Sequence, residues 1–180
     1  MLAELIGRLD VSQVMTLLVI TVASVFDLRT RRIPNLLTFG GAALALLYAG
    51  AVHGLSGLAH SVEGWLAGLV IFLPLFALGG LGAGDVKLFG AIGALLGMHL
   101  VLPTFLIIVI TGGVLATCSM LLSETVKQTM FGVWQIFASL LPGRRVIRAQ
   151  DLIAGGKTVP YGVAITLGSL ISVALSVKGP

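Results

Sequence analysis

Charged residues and cysteines are both scarce in this chain of 180 residues. Only 10% of the residues are Asp, Glu, Lys or Arg, and 57% are hydrophobic, whereas about 25% of the residues in a soluble domain are charged. Because so apolar a chain cannot cover its core with a water-compatible surface, we predict that it lies in a bilayer. The single cysteine, Cys118, excludes an intrachain disulfide and a multi-cysteine metal site. Its position in an apolar run predicts a small buried residue.

Long apolar runs are abundant. A helix that crosses a bilayer needs about 20 mainly apolar residues, within a range of roughly 17 to 25. We therefore predict an all-α integral membrane protein with six transmembrane helices, at 10–27, 35–53, 63–81, 85–99, 100–122 and 158–178. The fourth is short and ends near His99 and Pro103. A five-span alternative fuses it with the fifth, but the fused run is too long for one crossing.

One further apolar segment, residues 131–141, is too short to span a bilayer. With Trp134 and Phe137 it is typical of an interfacial helix that lies on the membrane, and packing against the spanning helices is the alternative. It belongs to the segment 123–157, which we interpret as a cytoplasmic loop. We expect residues 1–180 to form a single membrane-embedded domain.

The basic residues lie mostly between apolar runs, and mostly on one face of the membrane. With six spans, the other face has only Arg8 and Lys178. The positive-inside rule makes the basic face cytoplasmic and puts both termini on the periplasmic side. The net charge of +4 therefore indicates membrane orientation rather than nucleic-acid binding. The basic face carries Arg29, Arg31, Arg32, Lys87, Lys127, Arg144, Arg145, Arg148 and Lys157.

Two of the seven acidic residues, Asp27 and Asp85, are placed differently from the rest. Asp27 ends the first predicted span and Asp85 opens the fourth, so both lie at the cytoplasmic membrane boundary. Two carboxylates close together in a partly dry site share a proton, so that one acts as a base and the other as an acid. Such a pair activates water without a metal or a cofactor. The other five acids precede the first span, begin the third or lie in the long loop: Glu4, Asp10, Glu63, Glu124 and Asp151.

Purely structural roles are the alternative for the same residues. Asp85 would then cap the fourth helix, where an acid complements the helix dipole. Asp27 would pair with one of the arginines that follow it. Gly82 and Gly84 permit backbone conformations that other residues cannot adopt, and they allow close approach of another chain. An ordinary turn between spans is the alternative there.

Three segments resemble the type IV prepilin peptidase family of GxGD intramembrane aspartic peptidases. They are DLRTRRIPNLLT (27–38), GAGDVKLFGAIGALLG (82–97) and TVPYGVAITLG (158–168), and they occur in the family's order. The resemblance implies that Asp27 and Asp85 are catalytic. It also implies a substrate, the precursor of a pilin or pseudopilin, cleaved where its basic leader meets the membrane. The residues expected to support the motif or bind substrate are Gly82, Gly84, Lys87, Pro34, Asn35 and Pro160.

The chain departs from the larger family members in one respect. Those members carry paired CxxC motifs and N-methylate the new terminus, whereas this chain has one cysteine. It therefore resembles the short, peptidase-only branch that serves Flp/Tad-type pili, and we expect neither methyltransferase activity nor a zinc site or other cofactor. The expected location is the bacterial inner membrane, with the prepilin and membrane lipids as partners.

Two other functions fit the residues alone. A small ion-coupled transporter also uses intramembrane acids and glycine-broken helices, although here the acids lie at one face and no inverted repeat is visible. In a non-catalytic membrane scaffold, either acid could be replaced by asparagine without loss.

Overall fold

The computed structural model describes residues 9–78, 81–122 and 161–178. These residues form five α-helices and no strand: α1 Val11–Thr30, α2 Asn35–Ala77, α3 Ala83–Leu96, α4 Met98–Leu122 and α5 Tyr161–Lys178. Three of the helices contain segments long and apolar enough to cross a membrane, at Val11–Thr30, Asn35–Ala77 and Met98–Cys118. The all-α prediction is confirmed for the described residues, and six crossings stays a prediction. The predicted interfacial helix at 131–141, the 123–157 loop and Pro160 lie outside the described residues.

The longest helix, α2, is interrupted at Gly54. This residue has φ 63° and ψ −151°, in the positive-φ region that favours glycine. A Cβ on Gly50 would lie 3.9 Å from the Cβ of Leu58, although eight residues of continuous helix span about 12 Å. The chain therefore turns back at Gly54, and α2 has two arms, 35–53 and 55–77. The first arm coincides with the second predicted span, and the second arm overlaps the third.

The shortest helix, α3, lies at the centre of the bundle. Leu88, Phe89 and Ile92 are fully buried, and the ring of Phe89 stacks on Phe72 of α2 with 4.2 Å between ring centroids. The 14 residues of α3 span about 21 Å, less than the hydrocarbon core of about 30 Å. The predicted fourth span is thus a helix enclosed by other helices, and it falls short of the length of an ordinary crossing.

The junction between α3 and α4 is at Gly97 rather than at His99 or Pro103. Gly97 has φ 76°, and its N–H donates to the carbonyl of Gly93. Helix α4 begins at the next residue and includes both His99 and Pro103. The predicted boundary was therefore wrong by a few residues. A glycine in a conformation rarely open to other residues ends α3 before the proline is reached.

Helix α4 packs against the bundle with one face and leaves the other exposed. Thr104 and Ile108 are buried, whereas Leu106 and Ile110 are exposed. Cys118, which was expected to be buried, is also exposed, so that prediction was wrong. In a bilayer an apolar side chain is stable on the outside of the protein, so an apolar sequence context does not distinguish a lipid-facing residue from a core residue.

Glycines allow α2 and α3 to approach at backbone distance. A Cβ on Gly64 would collide with the carbonyl oxygen of Gly93, and a Cβ on Gly93 would collide with the carbonyl oxygen of Gly64. One turn further along α2, a Cβ on Gly68 would lie 2.7 Å from the carbonyl oxygen of Phe89. Small residues at helix contacts are typical of membrane bundles, and here they hold the second arm of α2 against the central helix.

We expect Gly93→Ala to destabilise the protein by about 1–3 kcal/mol, because a methyl group there forces two backbones apart. The matched control is Gly113→Ala in α4, where a Cβ would meet nothing within 4 Å. Thermal unfolding in detergent micelles measures both. Equal midpoints for the two variants would show that the contact between α2 and α3 does not depend on glycine.

Candidate active site

Four helix ends meet at one end of the bundle: the last turn of α1 and the first turns of α2, α3 and α5. The backbone N–H of Gly162 donates to Asp27 Oδ2 over 3.0 Å, which joins α5 to α1. The side chain of Ile33 packs over Gly84 of α3. At the opposite end of α1, Gln13 bonds to Ser176 of α5, so these two helices run antiparallel. Asp27 and Asp85 therefore lie at the same end of the molecule.

Asp27 lies in the last turn of α1 and is only 8% exposed. The helix ends at Arg31, whose backbone φ is 51° and whose N–H donates to the carbonyl of Asp27. The Asp27 carboxylate points at the N-terminus of α5, where it accepts the hydrogen bond from Gly162. The positive end of a helix dipole favours a negative charge at this position.

Gly162 is a site residue that was not among the predicted ones. A Cβ at this position would lie 2.5 Å from Oδ2 of Asp27, 2.7 Å from its Cγ and 2.8 Å from its Cβ. Any other residue would displace either Asp27 or the start of α5. Gly162 stands in the segment 158–168 that resembles the family's last span. Its contact with Asp27 joins residues 135 positions apart, and spacing along the sequence carries no signal of such a pair.

Asp85 is the third residue of α3 and is 9% exposed. Its Oδ2 accepts a hydrogen bond from the backbone N–H of Gly82 over 3.0 Å. The acid therefore caps its own helix, as the structural alternative predicted. This bond occupies one carboxylate oxygen, so the cap leaves the second oxygen of Asp85 available to another partner.

The two glycines before Asp85 supply space rather than unusual backbone angles. Gly82 has φ −79° and ψ 154°, which any residue adopts, and Gly84 lies inside the helix with no positive φ. Neither glycine therefore uses the backbone conformations that are closed to other residues. A Cβ on Gly84 would lie 3.3 Å from the Cβ of Ile33, and one on Gly82 would lie 3.2 Å from Asp85 Oδ2. A segment of the same chain, at Ile33, therefore lies close to Gly84.

The two carboxylates are buried at the same end of the bundle, where two negative charges would repel each other. Burial weakens the screening of that repulsion by water. Each has one oxygen bound to a backbone N–H, and the other oxygen accepts no hydrogen bond from the described residues. Neither of these second oxygens is a fully enclosed atom without a partner; among those residues, only Ser169 Oγ is. Such a pair can hold a water molecule and exchange protons with it.

The remaining motif residues of the described chain lie beside this pair. Pro34 is the residue before α2, and Asn35 is the first residue of the helix. The ammonium group of Lys87 donates to Asn35 Oδ1 over 3.0 Å and lies 5.1 Å from the ring centroid of Phe39. The structure thus brings Lys87 and Asn35 together, which their separation in sequence does not predict.

The histidines lie at the other end of the bundle. His53 and His60 line a cavity of about 350 Å³ together with Asp10, and His60 is near Glu63, with 3.5 Å between His60 Nδ1 and Glu63 Oε2. Within 9–78, 81–122 and 161–178, no group of three or more His, Cys, Asp or Glu side chains is arranged to hold a metal ion.

A family model described as the type IV leader peptidase family matches residues 14–117, which is more than half of the chain. The matched range includes both aspartates and the segment between them, and it ends before α5. Comparisons with curated proteins and with solved structures give no significant match.

The helix-capping role of Asp85 can be measured separately from a catalytic role, because capping affects the stability of the protein. We expect Asp85→Ala to destabilise the protein by about 0.5–2 kcal/mol, because the Gly82 N–H loses its acceptor. Asp85→Asn keeps an acceptor oxygen and removes the repulsion from Asp27, so its thermal midpoint should stay at or above that of the parent. Thermal unfolding in micelles distinguishes the two variants. A midpoint for Asp85→Asn as low as that for Asp85→Ala would contradict a role of the side-chain oxygen in capping.

Proposed function

Because this chain belongs to the type IV leader peptidase family, we propose that it is an aspartic endopeptidase of the membrane in which Asp27 and Asp85 are the catalytic pair. The observation that carries the proposal is the anchoring of the two carboxylates. Both are buried at one end of the bundle, each bound through one oxygen to a backbone N–H. The second oxygen of each is available for a water molecule.

The proposed reaction needs only these two side chains and water. The pair shares one proton, as close carboxylates do. The ionised member takes a proton from the water as its oxygen attacks the scissile carbonyl carbon. The protonated member donates to the carbonyl oxygen, and a proton then passes to the leaving amine when the peptide bond breaks. The backbone donors at Gly82 and Gly162 keep both carboxylates oriented throughout these transfers.

The proposed substrate is a prepilin or pseudopilin precursor of the Flp type. In the family that this chain resembles, a short basic leader stays in the cytoplasm, an apolar helix follows in the membrane, and cleavage falls after a glycine between the two. A site at the end of an apolar bundle suits cleavage at that boundary. Arg29 and Arg32 are exposed at the same end and would repel a basic leader, so we assign them to anionic lipid headgroups, whereas Arg31 interacts within the protein. No methyltransferase activity is proposed.

The proposed arrangement in the inner membrane has six crossings, with the aspartates at the cytoplasmic face and both termini in the periplasm. The two arms of α2 support it, because they account for the second and third crossings. The charges of the described residues support it too. Basic side chains gather around the aspartate end, whereas Asp10, Glu63 and the histidines lie at the other. The proposal treats residues 1–180 as one domain, with 123–157 as its cytoplasmic loop.

We expect Asp27→Asn and Asp85→Asn each to reduce leader cleavage by at least about 100-fold, because general acid–base catalysis contributes about 10²–10⁴-fold. The measurement is the size shift of an Flp-type prepilin co-expressed in membranes. Because the leader stays in the cytoplasm, cleavage also tests the proposed face.

The matched control is Glu63→Gln, which neutralises an exposed acid at the opposite end and should leave cleavage unchanged. All variants must accumulate to equal levels in the membrane. Full processing by either aspartate variant would contradict the catalytic pair and leave a transporter or a scaffold as the better explanation.

We also expect Gly162→Ala to lower the cleavage rate by about 10- to 100-fold, because displacing a catalytic group by about 1 Å has effects of this size. The added methyl group would collide with the Asp27 side chain. The control is Gly112→Ala, whose Cβ would meet Ala164 of α5 at an ordinary 3.5 Å. Equal rates for the two glycine variants would show that contact with Gly162 does not position Asp27.

A further inference from the structure

The segment that joins Asp27 to α2 is fastened to the beginning of α3 at two places. Ile33 packs over Gly84, where an added Cβ would lie 3.3 Å from the Cβ of Ile33. Asn35 accepts a hydrogen bond from Lys87 over 3.0 Å. Both contacts connect the Asp27 side of the site with the first two turns of the helix that carries Asp85.

We propose that Lys87 is a positioning residue, which acts through Asn35 to fix the spacing between Asp27 and Asp85. This inference rests on the proposed function for its catalytic meaning. The lysine follows Asp85 by two positions on one helix, so the two side chains point to different sides of α3. Lys87 therefore faces α2, and it reaches the aspartates only by holding the chain segment that leads to Asp27.

The chemistry of the contact suits this role. The partners that the described residues offer to the Lys87 ammonium are an amide oxygen and, at 5.1 Å, the ring of Phe39. Both are neutral. A cation paired directly with Asp27 or Asp85 would favour the ionised form of that carboxylate and oppose the shared proton. A lysine satisfied by an amide and an aromatic ring holds two helices together and leaves the charge of the pair unchanged.

The two contacts of Lys87, rather than its burial, distinguish this role from attraction to lipid, since Lys87 is half-buried and both Asn35 and Phe39 are exposed. Asn35 and Phe39 lie one turn apart on α2 and together bind the ammonium group, Asn35 through a hydrogen bond and Phe39 through a cation–π contact. A lysine whose only role was to carry positive charge on the cytoplasmic side would not need these two contacts. In this proposal the role of Asn35 is to accept the Lys87 hydrogen bond with its amide oxygen at the first position of α2.

A double-mutant cycle tests the proposal on the full-length protein with an Flp-type prepilin as the probe. We expect Lys87→Met and Asn35→Ala each to lower kcat by about 10- to 100-fold, with KM within about twofold of the parent. The kcat of the double variant should be no lower than that of the less active single variant, because both changes break the same contact. Lys87→Arg, which keeps a donor, should recover most of kcat.

The matched control is Arg29→Met, which removes one positive charge from the same end without touching the contact, and it should leave kcat unchanged. Additive effects of Lys87→Met and Asn35→Ala would overturn the proposal. A rise in KM with kcat unchanged would overturn it as well, because Lys87 would then bind substrate directly.

A second measurement reports the distance between positions 27 and 85 and does not depend on catalytic activity. In a Cys118→Ser background, cysteines replace Asp27 and Asp85 and are joined by bifunctional thiol reagents of graded length. We expect Lys87→Met to require a longer reagent or to slow linking with the shortest one by at least about tenfold, whereas Arg29→Met changes neither. Unchanged linking would overturn the proposal even if kcat falls. If the parent cleaves no prepilin, the proposed function fails, and the linking experiment still decides the role of Lys87.

Discussion

A buried carboxylate needs a hydrogen-bond donor, and in this bundle the donors are backbone N–H groups at the beginnings of two helices. Asp85 is bound by the N–H that precedes its own helix α3, and Asp27 is bound by the first turn of α5. The arrangement of the helices follows from this requirement. Helix α1 must run antiparallel to α5 for its last turn to meet the first turn of α5, and residue 162 must be glycine for the two to touch.

The central helix α3 connects this site with the rest of the fold. It is the shortest described helix, and nearly all of its side chains from residue 85 to residue 95 are buried. Glycine contacts bring the second arm of α2 against its backbone, and Ile33 covers its first turn. Because other helices surround α3, the position of Asp85 is determined by packing on several sides. The segment that leads away from Asp27 is part of that packing.

Hydropathy and charge in the sequence were sufficient to predict the helices and to place Asp27 and Asp85 at one end. The reason is that a bilayer imposes length and polarity on each segment separately. The contacts between segments were not predictable in this way. The pairing of Gly162 with Asp27, the bond from Lys87 to Asn35 and the exposure of Cys118 each depend on which helix faces which. Gly54 and Gly97 show a related limit, because glycines are frequent in these helices and only the backbone angles distinguish a break from a packing contact.

The hydrogen bonds to the two carboxylates also have a consequence for where a proton can reside. In each acid Oδ2 already accepts an N–H, and protonating that oxygen would weaken the bond that orients the side chain. The other oxygen has no such bond with the described residues, so it is the better site for the proton in either acid. The helix ends thereby select a tautomer, with the acidic hydrogen on the oxygen that faces away from the backbone. The same selection applies whichever aspartate is protonated, so in the proposed mechanism the two acids would exchange roles without either carboxyl group rotating by 180°.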